Sequence, residues 1–158
     1  MIDTGIEVQQ ATAADAEAIL TVQKAAYASE ARIYDDWQIP PLTQTVIEMQ
    51  ADIERLVVLK AVLDGGIVGS VRAGLVGDTC HVGRLVVRPD LEGRGIGSRL
   101  LREIEARFPS AARFELFTGH RSERNLGLYQ RRGYRIFKTE ATSDTLSLVY
   151  LEKLRTST

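Results

Sequence analysis

The chain has little of the chemistry that metal centres and disulfides require. Its 158 residues include one cysteine, Cys80, and two histidines, His81 and His120. A single cysteine cannot form a disulfide within the chain, and the ligands of a multi-cysteine zinc centre are missing. We therefore expect no metal cofactor and no internal disulfide.

The chain also lacks an excess of either charge and lacks a long apolar run. It has 20 Lys and Arg against 21 Asp and Glu, so no overall field favours nucleic acid or an anionic membrane surface. No segment approaches the ~18 apolar residues of a membrane span. The opening MIDTGIEVQQ has neither the basic start nor the apolar core of a secretion signal. We expect a cytoplasmic protein with no nucleic-acid or membrane partner.

The first third of the chain predicts a strand and two helices. A short alternating pattern leads into a helix over about 13–30, whose start carries the capping-box spacing of Thr12 and Asp15. Thr45 and Glu48 repeat that spacing and start a second helix. Between the helices we expect a loop, because Pro40 and Pro41 do not fit inside a helix.

The rest of the chain predicts a strand meander followed by alternating helices and strands. Turn sequences at 64–66 and 77–78 separate three consecutive strands, which should pair antiparallel. A helix to about Phe108, a strand over 113–119, a short helix from Ser122 to Gly133 and two final strands follow. The predicted order is βααβββαβαββ, in one domain over residues 1–158.

Alternating glycines in RPDLEGRGIGSRLL, residues 88–101, suggest a phosphate seat. A Walker loop needs a lysine, and none occurs between Val62 and Phe137. The dinucleotide fingerprint needs a third glycine where Ser98 stands and a parallel strand unit before it. A pyrophosphate cradle at a helix N-terminus fits better. The alternative that the glycines only shape a turn remains open from spacing alone.

The element order and two motifs resemble the GNAT superfamily of acyl-CoA-dependent N-acetyltransferases. LVVRPDLEGRGIGSRLL is similar to the family's acyl-CoA motif, and NLGLYQRRGY is similar to its second motif. One residue departs from the pattern, since Glu92 stands where the family usually has Gln or Arg. The resemblance implies an α/β (α+β) fold with about four helices and a mostly antiparallel sheet of six to seven strands, splayed between strands 79–88 and 113–119.

The resemblance further implies acetyl-CoA as co-substrate. The backbone of the glycine segment would hold its pyrophosphate, and the backbone of Leu85 and Val87 would bond its pantetheine arm. The implied cofactor-binding residues are Leu85, Val86, Val87, Glu92, Gly93, Arg94, Gly95, Ile96, Gly97, Ser98, Arg99, Asn125 and Tyr129.

The implied activity is acetyl transfer to a primary amine by direct attack within a ternary complex. Tyr129 would protonate the leaving thiolate, and Asn125, one turn earlier, would bond the pantetheine amide. His81 is an imidazole candidate for the general base, and we place it on the strand face of Gly83, Leu85 and Val87. Cys80 has the opposite parity to Leu85 and Val87, so no acetyl-cysteine intermediate is expected.

The acceptor is expected to be a small-molecule or peptide amine, selected by the helix–loop–helix segment AAYASEARIYDDWQIPPL and by the last hairpin. Its candidate contacts are Glu30, Tyr34, Asp35, Trp37, Glu115 and His120. Glu30, Glu115 and His120 are also alternatives for the general base. Two other functions stay open at this point: an acyl-CoA-binding sensor or interaction module without turnover, and a nicotinamide enzyme. Dimers are common in such folds, so a homodimer is a further expectation.

Overall fold

One sheet runs through the computed structural model, which describes residues 5–155. Within those residues its strands are β1 (Glu7–Gln10), β2 (Val57–Leu63), β3 (Gly66–Val76), β4 (Thr79–Val87), β5 (Arg113–Gly119), β6 (Arg135–Ala141) and β7 (Ser147–Leu154). Their order in the sheet is β1-β2-β3-β4-β5-β7-β6. Every neighbouring pair is antiparallel except β4 with β5. The predicted order of strands along the chain and the mixed, mostly antiparallel sheet are confirmed.

The sheet is flanked by five α-helices in the described part of the chain, where the sequence predicts about four. They are α1 (Ala16–Tyr34), α2 (Pro40–Thr43), α3 (Val46–Arg55), α4 (Ile96–Ala106) and α5 (Glu123–Arg131). The additional helix is α2, so the expected loop at Pro40 and Pro41 is wrong. Both prolines occupy the first turn of α2, where a backbone N–H would have no intrahelical acceptor to lose.

Local sequence sets the ends of the first helices. The capping box of Thr12 and Asp15 forms around a short 3₁₀ turn that leads directly into α1. The second box also forms: the Thr45 N–H donates to Glu48 Oε1 at 2.8 Å, and the Glu48 N–H donates to Thr45 Oγ1 at 3.2 Å. Helix α1 continues four residues beyond its predicted end and stops at Asp35, whose φ of 50° is left-handed.

Two apolar clusters cover the two faces of the sheet. Beneath α4, the fully buried Leu100 and Leu101 pack with Leu59 of β2 in the larger cluster. On the opposite face, Ile19 of α1 packs with Val58 in the smaller cluster. Leu59 and Val58 are neighbours in β2, and neighbouring residues of a strand point to opposite faces. Helices α1 and α3 therefore cover one face and α4 the other.

The sheet opens between β4 and β5. These parallel strands pair only at Thr79 with Arg113, Cys80 with Phe114 and His81 with Glu115. Beyond that point β4 keeps β3 as its neighbour, but residues 82–87 have no β5 partner in the described part of the chain. The predicted splay is confirmed, and it exposes one edge of β4 to a ligand or to water.

A bulge interrupts β4 at Arg84. Ser70 pairs with Val86 and Arg72 pairs with Gly83, so Val71 faces two residues of β4. Arg84 takes a left-handed φ of 50°. The extra residue changes which side chains share a face.

The bulge makes two parity expectations wrong. Cys80, Leu85 and Val87 all belong to the α4-side cluster or pack against it. Cys80 therefore does not oppose Leu85 and Val87, and the exposed His81 does not share their face. A prediction based on strict alternation of side chains does not account for the extra residue at Arg84.

Candidate active site

The open side of β4 borders a cavity of about 570 Å³. We call it the loop cavity, because the glycine segment forms much of its wall. Its other walls are the end of β4, α1 and α5. Of the predicted cofactor contacts, it is lined by Leu85, Val86, Val87, Glu92, Gly93, Gly95, Ile96, Gly97, Ser98 and Asn125.

Consecutive backbone amides of the glycine segment, most of whose residues line the loop cavity, are unused. The first amide of this helix start that bonds to protein is that of Arg99, which donates to the Gly95 carbonyl at 3.0 Å. The N–H groups of residues 93–98 donate to no acceptor within the described residues. Gly95 is the N-cap of α4 and gives no side-chain cap. Unused amides and the helix dipole together make an anion site.

The glycines themselves are explained by backbone geometry. Gly93 and Gly95 have φ of 81° and 84°, which side-chain-bearing residues rarely adopt. A Cβ on Gly97 would lie 3.3 Å from Leu128 and 3.7 Å from Val87. The glycines therefore do shape a turn, and the free amides belong to the same segment of the chain.

Arginines of α5 and of its C-cap residue supply the positive charge of the loop cavity. Arg124, Arg131 and Arg132 line it, and the buried Nε of Arg132 is a side-chain nitrogen without a partner among the described residues. The predicted cations lie elsewhere. Arg94 is exposed and outside the cavity wall, and Arg99 donates to the Ile6 carbonyl at 2.6 Å. This bond holds the Arg99 side chain near Ile6, and Arg99 does not line the loop cavity. Its expected position beside the pyrophosphate is therefore not observed.

A second cavity of about 930 Å³ lies on the other side of the gap. We call it the sheet cavity, because β3, β4 and β5 contribute to its wall together with α1 and α2. Four residues line both cavities: Tyr27, Glu30, Leu85 and Asn125. The two cavities therefore meet where β4 and β5 separate.

Tyr129 lines the sheet cavity close to this junction. The residue is 5% exposed, and its hydroxyl makes no hydrogen bond to the described part of the protein. Burial, with added repulsion from Tyr27 and Glu30, raises the pKa of the Tyr129 phenol well above its ordinary value. A phenol in this setting stays protonated and keeps its proton available to a ligand.

The site geometry agrees with a family match. The model of the Acetyltransferase (GNAT) family matches residues 18–134, which is about three quarters of the chain. The chain belongs to the GNAT family of acetyltransferases. The match includes both motifs, the β4–β5 gap and every residue shared by the two cavities. A search of curated proteins finds no match.

Solved structures of similar fold carry acetyltransferase names. The PaiA N-acetyltransferase from Thermoplasma acidophilum in complex with coenzyme A has a TM-score of 0.76 and 20% identity, covering 95% of this chain and 99% of that one. A ribosomal-protein-alanine N-acetyltransferase from Brucella melitensis has 0.75 and 20%, covering 94% and 99%. An IAA acetyltransferase from Bacillus cereus ATCC 14579 has 0.69 and 21%, covering 95% and 99%. At such identities these likenesses show the fold alone.

At the junction of this GNAT site, Glu30 is held by a chain of hydrogen bonds. Ser122 Oγ donates to Glu30 Oε1, and the Tyr34 hydroxyl lies 2.8 Å from Ser122 Oγ. The Arg121 N–H donates to the Tyr34 hydroxyl at 2.8 Å. Asn125 Nδ2 donates to Glu30 at 3.5 Å and to Thr118 Oγ1 at 3.2 Å. The carboxylate is thereby fixed with one oxygen, Oε2, free of protein donors among the described residues.

Of three further predicted site residues, one lines the sheet cavity and two lie outside both cavities. His81 is half-exposed, lines the sheet cavity and lies 3.7 Å from Glu115. Glu115 itself is outside both cavities, where Arg113 binds its Oε1 at 2.8 Å. It sits at the closed end of the gap, where β4 and β5 still pair. His120 is exposed outside the cavities and is bonded to the backbone of Ser147.

Of the acceptor contacts predicted in the segment AAYASEARIYDDWQIPPL, Glu30 and Tyr34 line the sheet cavity, whereas Asp35 and Trp37 do not. Asp35 is the exposed residue that ends α1, and Trp37 is 48% exposed outside both cavities. Asp36, between them, does line the sheet cavity.

Three arginines of the sheet cavity are absent from the sequence-based set. Arg55, Arg72 and Arg84 line its wall, and two of them pair with Asp52. Arg84 bonds to Gln44 Oε1 at 2.8 Å. A charged residue inside the apolar run HVGRLVV is the signal that could have identified Arg84.

Neither a metal cluster nor a membrane helix occurs in residues 5–155. No three His, Cys, Asp or Glu side chains within that range come together as metal ligands. No helix in that range is long and apolar enough to cross a bilayer. The metal-free site, the compartment and the homodimer stay predictions.

Proposed function

We propose that this GNAT protein transfers an acetyl group from acetyl-CoA to a primary amine, which attacks directly while both substrates are bound. The meeting of the two cavities at the β4–β5 gap carries the proposal. One cavity offers unused amides and arginines to phosphates, and the other offers a buried phenol and a held carboxylate to the reacting groups. The family match supports acetyl transfer in general.

The residues of the loop cavity fit coenzyme A. The free amides of residues 93–98 and the arginines of α5 would bind its phosphates, and the unpaired edge of β4 over residues 82–87 would bond the pantetheine amides. Acetyl-CoA, when bound, supplies an activated acetyl group and a thiol leaving group. Because β4 leads into the junction, its edge would direct that acetyl group toward Tyr129 and Glu30.

Tyr129 and Glu30 take complementary parts in the proposed transfer. The attacking nitrogen must lose a proton, and the leaving sulfur must gain one. The free oxygen of Glu30 would accept the proton of the amine, and the Tyr129 hydroxyl would donate to the sulfur. Asn125 would hold the pantetheine amide or the Glu30 carboxylate, since it lines both cavities.

Cys80 takes no part in the proposed transfer. It is fully buried, and burial raises the pKa of its thiol to about 12. A thiol that is neither ionised nor exposed is a poor nucleophile. This supports direct attack by the amine, for a reason different from the strand parity that the sequence suggests.

The proposal predicts that Tyr129→Phe lowers kcat by about 10-fold or more with little change in the Kd of acetyl-CoA. The reason is that the phenol would act only on the departing thiol. The measurement is CoA release with a panel of primary amines, together with calorimetric binding of acetyl-CoA. Tyr150→Phe is the matched control, because Tyr150 lies on β7 outside both cavities.

Two results would contradict the proposal in different ways. An unchanged kcat in Tyr129→Phe would remove Tyr129 as the acid while leaving the transfer itself intact. Tight binding of acetyl-CoA with no CoA release from any amine would instead favour the acyl-CoA-binding module.

A further inference from the structure

Arg84 is a poorly hydrated cation without a carboxylate partner. Burial lowers its pKa, and the nearby charge of Arg72 lowers it further. No Asp or Glu of the described residues lies within ion-pair distance of its guanidinium, whose one protein bond is to the neutral Gln44 side chain. A partly buried charge with no counter-ion is costly in a folded protein and indicates a functional site.

The carboxylate nearest to this cluster is already occupied. Asp52 accepts from Gln44 Nε2 at 2.7 Å, from Arg55 at 3.2 Å and, in a short contact, from Arg72. Two arginines thus share one carboxylate, and Arg84 adds a third positive charge to the same wall. Among these three arginines, Arg84 is the one that no carboxylate of the described residues pairs with.

The unused donors of Arg84 are open to the sheet cavity. A guanidinium has five N–H donors, and Gln44 uses Nη1 alone. Within the described part of the chain, one side-chain polar atom is both buried and without a hydrogen-bond partner, and it is Arg132 Nε. Nε and Nη2 of Arg84 also have no partner there but are not buried in that sense, so they remain accessible to solvent. Because Arg84 lines the sheet cavity, these donors are available to a ligand there.

The bulge of β4 and the glutamine network hold Arg84 in this position. In a regular strand Arg84 would share the α4 face with Cys80 and Val82. Instead it bonds Gln44, which also accepts from Gln23 of α1, on the opposite face. A left-handed residue that is not glycine is strained, and such strain is retained at ligand sites.

We infer that the amine acceptor also carries a carboxylate, which Arg84 binds in the sheet cavity while Glu30 receives the amine. This rests on the proposed function and assigns the acceptor to the amino-acid class. Arg84 is the arginine of the three that pairs with no carboxylate of the described residues, and a planar carboxylate matches two parallel N–H donors of its guanidinium. Arg84, Tyr27 and Glu30 all line the sheet cavity. A ligand in that cavity can therefore be approached by the guanidinium and by the carboxylate.

The test compares acceptors that share an amine and differ in the second group. CoA release is measured with free amino acids, with their carboxamides and with an aminoalkyl phosphate of similar length. We expect kcat/KM to be about 10- to 100-fold higher for the free amino acid than for its amide, as a charge-assisted pair is worth. In Arg84→Gln that ratio should fall toward one, mainly through KM. Arg84→Lys keeps the positive charge but lacks the two parallel N–H donors of a guanidinium, so it should retain part of the preference for the free amino acid.

Matched controls separate this inference from the proposed function. Arg88→Gln removes an exposed arginine just past β4 that pairs with Asp90 outside both cavities, and it should keep the wild-type ratio. Acetyl-CoA binding by the Arg84 variants, measured by calorimetry, reports that they remain folded. Equal rates with amide and free acid, or a preference for the phosphate, would overturn the inference. No CoA release with any acceptor would contradict the proposed function instead.

Discussion

Glu30 is the residue on which proton removal from the acceptor depends in the proposed mechanism. Its Oε1 is bonded to Ser122 and Asn125, which leaves Oε2 for the amine. We predict that Glu30→Gln lowers kcat/KM about 100-fold near neutral pH, as loss of a general base does. The deficit should narrow as pH approaches the amine pKa of ~10, because the acceptor then loses its proton without help.

A pH series of CoA release for wild type and Glu30→Gln measures this deficit. Glu17→Gln is the control, since Glu17 is exposed on the same helix and outside both cavities. A deficit that stays constant with pH would mean that Glu30 positions groups without accepting the proton.

Glu92 is an acid at the mouth of the loop cavity, where a resemblance to the family leads one to expect Gln or Arg. Its Oε2 lies 3.9 Å from Arg124 Nε, and its side chain is 39% exposed. Such an exposed pair contributes at most about 1 kcal/mol to stability. Glu92→Gln should therefore leave the fold intact, release Arg124 for a phosphate and make acetyl-CoA binding equal or tighter.

Calorimetry of acetyl-CoA binding at low and high salt tests the role of Glu92, because a gain from charge should shrink as salt screens it. Glu103→Gln is a control on the next helix, outside the cavity wall. Clearly weaker binding in Glu92→Gln would place the phosphates elsewhere.

The N-terminus of α4 is the element that the proposed cofactor site uses most directly. Gly95 has a left-handed φ of 84°, and a Cβ there would meet nothing within 4 Å. Alanine at this position should cost about 1–2 kcal/mol of stability through backbone strain alone. It should also shift the free amides of residues 93–98 and weaken acetyl-CoA binding.

A second glycine gives this prediction a closely matched control. Gly65 has a φ of 80° and equally open space, but it lies in the β2–β3 turn away from both cavities. Denaturant unfolding should show similar losses for Gly65→Ala and Gly95→Ala, while calorimetry should show weaker acetyl-CoA binding for Gly95→Ala alone. Equal affinities in the two variants would exclude the α4 amides as the phosphate site.

The elements show why part of this molecule was predictable from sequence. Local chemistry decides the capping boxes at Thr12 and Thr45, the hairpin turns and the glycine segment, and all of these form where the sequence places them. The sequence does not predict the helix at Pro40, because proline disfavours a helix interior but is accommodated in the first turn. A few residues that are close in sequence determine each of these caps, turns and helix starts.

The rest of the candidate site depends on contacts between distant segments. Arg84 bonds Gln44, and Glu30 bonds Ser122, across 40 and 92 positions of the chain. A one-residue bulge determines on which face of the sheet Arg84 lies. A prediction that assumes strictly alternating side chains along the strand does not include the bulge. Spacing could suggest that Tyr129 and Asn125 share a helix face, but not that Arg99 is held on the Ile6 carbonyl.

At the scale of the whole molecule, the sheet is two sections joined by a short seam. Within residues 5–155, strands β1 to β4 and strands β5, β7 and β6 meet only at the β4–β5 pairs that end at His81 and Glu115. A ligand that bonds the free edge of β4 and the start of α4, and packs on α5, would connect both sections. Binding should therefore stabilise the fold by mass action, about 2.7 kcal/mol at a ligand concentration 100 times its Kd.

Hydrogen exchange can localise that stabilisation. In the free protein the amides of residues 93–98 have no protein acceptor among the described residues and should exchange quickly. Saturating CoA should slow them and the β5-facing amides of residues 82–87, whereas the outer pair β6 and β7 should change little beyond the global gain. CoA without an acetyl group should protect as well as acetyl-CoA, because the proposed contacts involve phosphates and pantetheine. Protection that spares residues 82–87 would mean that the open edge of β4 is not where the pantetheine arm lies.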